Sequence, residues 1–457
     1  KNYYNLAWSF LKLQEEGKAL NAIKKAFYLE RENKYFELGD QLVDGLLLFY
    51  AYSKKTREGI AFLKKYDLLN FDNLLKYVDY VYNSGEKKDV LYGFNEFKNI
   101  KMSLENRYVL VSKKIKIFRP GKMFKQIQEA LGDLKLFFGQ RKNEVIKKEI
   151  KENLITDVKG YTGFLQEIIK AEGFLKDKRK SLYIKYTAFN FNILKLIDPK
   201  NTLEYSFYEA ETYFAVQNYK RASFTYAKGI ANYKKDYPNE KKNKFLVKSF
   251  DGLFKSLEKQ KKPSSKILLF SFTAYLDYYP RDSRSNVIHK RLLSFYKLRG
   301  DFDKVLETII SYNKYFPRMY KIQKGYYFEV LNSYINKKNV SGLEKLKKMA
   351  QKKFLGLDRK EVLKIDRVIV EIYFSKYEDL AKAGKYGEAI AGFHKLFLDK
   401  KSKYSLRIDS LRKEMFYLNK IKKFQELNNI LKLSLGFYNS KMKIKYQEEF
   451  LFYSQSI

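Results

Sequence analysis

Residues 292–317, LLSFYKLRGDFDKVLETIISYNKYFP, carry a spacing that recurs along the chain, and nothing else in the sequence constrains the fold as strongly. Leu292, Leu293 and Tyr296 precede Gly300; Phe302, Val305, Ile309 and Tyr312 follow it, and Pro317 closes the stretch. Apolar residues three and four apart share one face of a helix, so this reads as two amphipathic helices separated at the glycine. The same register returns at Tyr377, Leu380, Gly384, Tyr386, Ala389, Phe393 and Leu396, and at Ala210, Tyr213, Tyr219, Ala222, Tyr226 and Gly229. Near the start of the chain it runs through Leu6, Ala7, Phe10, Ala19, Ile23 and Ala26. Leu46, Leu47, Tyr50, Gly59, Leu63 and Tyr66 come next, then Val78, Val81, Gly85, Val90, Phe94 and Phe97. Weaker copies fall around Val330–Met349 and Met415–Ser434. A helix pair that cannot bury its own apolar face must stack on its neighbours, so a recurring pair demands a solenoid.

Each position in the register has a local reason. The glycine ends the first helix in a turn that needs a left-handed residue. The small residue opening the second stripe (Ala19, Gly59, Ala222, Ala389) lets two helices approach closely, and the aromatic–proline pair at Phe316–Pro317 stops the second helix. The matched units imply three blocks: residues 1–100, a divergent helical middle at 101–200, and 201–457 ending in a capping helix. Within the middle, VLVSKKIKIFRPG (109–121) alternates apolar and polar residues, which fits a small hairpin or irregular insertion and fits a displaced helical repeat almost as well. Pro199 and the polar stretch KQKKPSSK (259–266) mark candidate breaks between blocks.

Composition removes most catalytic classes. The chain has no cysteine, which excludes disulfides and thiol nucleophiles and argues against zinc. Its two histidines, His289 and His394, have no second ligand one helical turn away and read as structural or surface residues. No phosphate-binding loop accompanies Gly17-Lys18, Gly121-Lys122 or Gly384-Lys385, and no segment has the distinct composition of an appended glycan-cleaving domain. No enzyme, metal site or cofactor is therefore expected. The longest mostly apolar runs, such as 268–279, hold about a dozen residues where a membrane span needs about 20.

The formal charge is +40, and part of it follows from a lysine-, asparagine- and aromatic-rich residue usage. Its distribution is uneven: residues 1–80 hold 13 basic against 11 acidic residues, and residues 220–364 hold 35 against 13. Such a field draws acidic partners or anionic polymers. Lysine outnumbers arginine 76 to 16, and most aromatics lie on the apolar stripes, so nucleic acid is the less favoured partner.

The repeated register resembles that of the tetratricopeptide repeat, with units 31–47 residues apart here against about 34 in that family. The resemblance implies an all-α, right-handed solenoid of about 10–12 stacked antiparallel helix pairs. It also implies a non-catalytic scaffold that binds protein, with first helices lining a groove. Carried onto this sequence, groove-facing positions are Trp8, Tyr52, Phe207, Phe214, Lys290, Lys297 and Lys382, suited to acidic or peptide-like segments. Together with the basic, cysteine-free composition and a start at Lys1, where a signal or anchor segment is expected upstream, the chain resembles exported bacterial scaffolds. The expectation is a periplasmic or envelope-associated assembly subunit, first a periplasmic-flagellar motor collar component, with an outer-membrane assembly lipoprotein or a cytoplasmic protein as alternatives.

Overall fold

The computed structural model describes residues 2–32, 39–84, 87–140, 145–171, 178–240, 242–400 and 402–437. Among these there are 22 α-helices and no strand. They divide into two compact units, Lys1–Ser271 and Phe272–Ile457. No described helix is long and apolar enough to cross a membrane. The first unit contains α1 (Asn2–Lys12), α2 (Glu16–Glu32), α3 (Gly39–Tyr52), α4 (Thr56–Lys65), α5 (Phe71–Asn83), α6 (Lys87–Glu96), α7 (Leu104–Phe118) and α8 (Phe124–Gln140). It continues with α9 (Lys148–Lys170), α10 (Lys180–Ile197), α11 (Thr202–Ala215), α12 (Tyr219–Asp236) and α13 (Lys244–Glu258); the division falls inside α14 (Ser265–Tyr278). The second unit contains α15 (Ser283–Leu298), α16 (Phe302–Tyr315), α17 (Tyr320–Asn336), α18 (Val340–Gln351), α19 (Arg359–Lys382), α20 (Tyr386–Leu398), α21 (Tyr404–Lys420) and α22 (Phe424–Phe437).

Odd-numbered helices pack on the even-numbered helix that follows from α1–α2 to α11–α12 and from α15–α16 to α21–α22, and even helices pack on the next odd one in α2–α3, α10–α11, α12–α13, α16–α17, α18–α19 and α20–α21. In the first unit, first helices also meet first helices (α3–α5, α7–α9, α11–α13), and second helices meet at α4–α6 and α8–α10. This order is that of an α-solenoid built from helix pairs. The core of the first unit is continuous from Ala7 to Tyr205, so no break in packing occurs near 100. Residues 438–457, the end of the 201–457 block expected to close with a capping helix, lie outside the described residues, as does Gly85.

The turn within eight of the pairs repeats one hydrogen-bond motif. A residue with positive φ sits at Gln14, Lys54, Lys122, Gln217, Gly300, Lys338, Gly384 and Lys422. In every case the next residue's N–H reaches the carbonyl five positions back: Glu15 to Phe10, Lys55 to Tyr50, Met123 to Phe118, Asn218 to Tyr213, Asp301 to Tyr296, Asn339 to Tyr334, Lys385 to Leu380 and Lys423 to Leu418. These are Schellman turns, and their acceptors are the aromatic or leucine residues that end the first-helix stripe. At Asn218, Asp301 and Asn339 the same residue then caps the second helix, accepting from Arg221, Lys304 and Gly342 N–H. Glycine fills the left-handed position at Gly300 and Gly384; at the other six a Gln or Lys accepts a backbone cost of about 1–2 kcal/mol.

The 109–121 segment is helical and not a hairpin. Ser103 caps α7 by accepting from Asn106 N–H at 3.1 Å, and the helix runs on to Phe118. The apparent alternation has a packing cause. Because α7 meets both α8 and α9, it buries Leu110 and Ile117 as well as Tyr108, Val111 and Ile115, which blurs the one-sided period.

Candidate binding surface

The first helices are tied to one another by lysine–carboxylate bridges. In the first unit Asp44 of α3 meets Lys76 of α5 at 2.8 Å, Asp79 of α5 meets Lys113 of α7 at 2.5 Å, and Lys116 of α7 meets Asp157 of α9 at 3.3 Å. In the second unit Lys297 of α15 meets Glu329 of α17 at 2.8 Å, and Lys413 of α21 meets Glu378 of α19 at 2.8 Å. Exposed pairs of this kind contribute only about 0–1 kcal/mol each, but each one neutralises the lysine that makes it. The bond to Glu329 holds the Lys297 ammonium above its ordinary range, so this expected groove cation is already paired.

The other expected groove residues are scattered. Trp8 is half-buried, edge-on to Phe49 of α3 at 5.3 Å, where it packs neighbouring pairs together. Tyr52, at the end of α3, is exposed. Phe214 lies edge-on to Tyr219 across the α11–α12 turn at 5.2 Å. Lys290 is half-buried on α15, and Lys382 is exposed 3.9 Å from Asp379. His289 is fully buried, its ring stacked on Tyr312 at 4.9 Å, and burial pushes its pKa down, so it is a core residue. Among the described residues no group of three side chains is arranged to hold a metal ion.

Only Phe207 belongs to a convergent surface, and that surface lies on α9, α11 and α13. Phe207, Tyr208 and Phe245 form a triangle of rings with centroids 5.3–5.7 Å apart. Tyr208 is 38 % exposed. Lys244 and Lys248, one turn apart, place their ammonium groups 5.1 and 5.8 Å from the Phe245 centroid. On the other side of Tyr208 a cavity of about 150 Å³ opens between α9, α10 and α11, lined by Lys159, Thr162, Gln166, Glu204, Tyr205 and Tyr208. Lys159 stands 5.1 Å from the Tyr205 ring. Gln166 fixes the rim, donating to Tyr208 O at 3.2 Å and to Thr212 Oγ1 at 2.9 Å.

Charge sets this surface apart from the bridged faces. Lys159, Lys244 and Lys248 have no carboxylate within 4.0 Å among the described residues. Two acids of α11 are committed elsewhere: Glu209 meets Lys195 of α10 at 2.5 Å, and Glu211 accepts from Tyr226 Oη. Burial raises Tyr226 and Tyr205 above the usual phenol range, so both stay neutral. Phe245 is buried and Phe207 half-buried, so they back the exposed Tyr208 ring, which offers a face for apolar side chains beside uncompensated ammonium groups for acidic ones. The lysine pair flanking Phe245 in KFLVK (244–248) was the available sequence signal; Tyr208 had none, because its exposure is decided by α13.

No family model and no curated protein sequence matches this chain. Solved structures similar to it include the pentatricopeptide repeat protein PPR10 from maize, at 14 % identity and a TM-score of 0.24. That match covers 97 % of this chain and 65 % of the maize chain, so this chain spans just under two thirds of that protein's length. A circular tandem repeat protein matches at 9 % identity and a TM-score of 0.20, covering 100 % of this chain and 96 % of that one. The APC/C hetero-tetramer Cut9–Hcn1 matches at 11 % identity and 0.18, covering 98 % and 89 %. At these TM-scores none of them bears on function. The helical-repeat architecture follows from the packing order and the recurring turns.

Proposed function

We propose that this chain is a non-catalytic protein-interaction scaffold whose α9–α11–α13 surface takes a partner segment carrying both apolar and acidic side chains. The observation that carries this reading is the ring triangle Phe207–Tyr208–Phe245, flanked by three ammonium groups without carboxylate partners. Aromatic residues at a partly desolvated surface are the usual anchors of an interface, and charge around them steers the encounter. Glu204 in the cavity places the acidic side chains of the partner on the α13 side, beside Lys244 and Lys248.

Photo-cross-linking in cells that make the full chain tests this. A benzophenone amino acid at Tyr208 is expected to capture one protein, through a segment containing Asp or Glu next to apolar residues. The same probe at Phe224, 58 % exposed on α12, is expected not to capture it. Charge reversal at Lys244 and Lys248 is expected to abolish the Tyr208 product. Equal capture at both sites, or nucleic acid as the cross-linked species, refutes the proposal. On composition alone we further place the scaffold in a cell-envelope assembly, of which a motor collar is one form; fractionation with the cytosol overturns that part and leaves the binding surface untouched.

A further inference from the structure

A second cavity, of about 230 Å³, opens in the first unit where the regular packing of second helices is interrupted. Second helices pack at α4–α6 and at α8–α10, whereas α6 and α8 share no comparable packing among the described residues. Between them the chain leaves α6 through a short 3-10 turn (Phe97–Asn99) and an extended segment to Ser103. The gap exposes part of α7 as its floor. Its walls are apolar: buried Phe94, Phe97, Leu110, Val111, Ala130 and Leu134. Three cations reach into it, Lys98, Arg107 and Lys114, against one carboxylate, Asp133.

Lys114 is the unusual member. Its ammonium sits 5.4 Å from the Phe94 ring centroid, and neither Lys114 nor Lys98 has a carboxylate within 4.0 Å among the described residues. Burial lowers the Lys114 pKa; Asp133 and Glu129 pull it back up, and Lys98 pushes it further down. The Arg107 guanidinium carbon lies 3.9 Å from the Phe137 ring centroid. An ammonium in an apolar wall is costly unless an anion pairs with it, and here the protein's own carboxylate is outnumbered.

We infer that this cavity is a binding site for a small carboxylate with an apolar body, the carboxylate meeting Lys98 and Lys114 and the body lying against Phe94, Phe97 and Leu134. The volume is below the about 300–1,000 Å³ of pockets that hold drug-sized ligands, which limits the ligand to the size of one amino-acid residue. A free aromatic or aliphatic acid and the C-terminal residue of another chain present this same chemistry. The site is separate from the α9–α11–α13 surface and does not depend on its role.

Calorimetric titration of the full chain tests the inference with phenylacetate, its neutral amide and phenethylammonium, and with a short peptide ending in Leu-Phe as free acid or amide. Binding of either acid with no binding of the matching amide or the amine supports it. The acid that binds more tightly identifies the source. Lys114→Met, which fills the same space, is expected to weaken the acid about tenfold or more. Asp133→Asn, which removes the competing carboxylate, is expected to tighten it. This opposite sign separates a ligand site from a general loss of structure. Absence of binding by both acids, equal binding of acid and amide, or weaker binding by Asp133→Asn overturns the inference.

Discussion

Gly59→Ala places one methyl group against the hydroxyl end of a buried tyrosine. A Cβ at this position of α4 would stand 2.2 Å from Tyr77 Oη, 2.8 Å from its Cζ and 3.0 Å from Tyr50 Cβ. Tyr77 belongs to α5, is fully buried, and donates from Oη to the Thr56 carbonyl at 3.1 Å. Its ring is therefore caged and hydrogen-bonded, and cannot swing into solvent to make room. Overpacking of this kind costs about 1–3 kcal/mol, and breaking the Tyr77 bond adds about 0.5–1.5 kcal/mol. Replacing a helical glycine by alanine returns about 0.5–1 kcal/mol. The expected net destabilisation is about 1–3 kcal/mol. Gly132 of α8 supplies the control, because a Cβ there would have no atom within 4 Å, so Gly132→Ala keeps only the helix gain. Denaturant titration reads the difference. Because stacked repeats need not unfold together, hydrogen exchange of peptides from α4 and α5 locates it. If Gly59→Ala is as stable as the wild type while Gly132→Ala is more stable, room for the Tyr77 ring is not what the glycine serves.

Two further outcomes follow from the turns and from one buried acid. Gln217 holds φ at 59°, so Gln217→Gly is expected to raise the denaturation midpoint by about 1 kcal/mol of stability, and an unchanged or lower midpoint would show that the left-handed turn carries no strain. Glu414 is buried on α21 with its Oε2 unpartnered and His394 Nδ1 2.9 Å from Oε1 but misaligned for a hydrogen bond, and burial pushes its carboxyl up to about 8 from an ordinary 4.5. Between those values the folded chain keeps a proton that the unfolded chain has released, so the second unit is expected to lose stability as pH rises from about 5 to 8. Glu414→Gln is expected to flatten that slope, and an equal slope in the variant would assign it to other groups.

The fold is most legible in the sequence at the turns. The register of Tyr50, Tyr213, Tyr296 and Leu380 was visible because each residue both closes an apolar stripe and accepts the Schellman bond, so one position answers to two physical demands. The glycine signal was faint for an equally physical reason: a left-handed φ is affordable for Gln or Lys where the rest of the motif is satisfied, and six turns use them. Helix α7 read ambiguously because neighbours on more than one side erase a one-sided period.

The binding surface was harder to read, and the lysines show why. Lys297 and Lys244 are the same residue type on first helices in the same basic stretch. The first finds Glu329, 32 residues on, whereas the second finds a ring and no carboxylate. Asp44 and Lys76, also 32 residues apart, obey the same rule of pairing one repeat away. A charge on a solenoid is thus decided by the side chain that stacking brings to it across the next pair, a contact that local spacing does not encode. Net charge therefore overstates how many lysines on the first helices are left unpaired. Lys244 and Lys248 at Phe245 and Lys114 at Phe94 are among the lysines that stacking leaves without an acid, and the two sites proposed above rest on them.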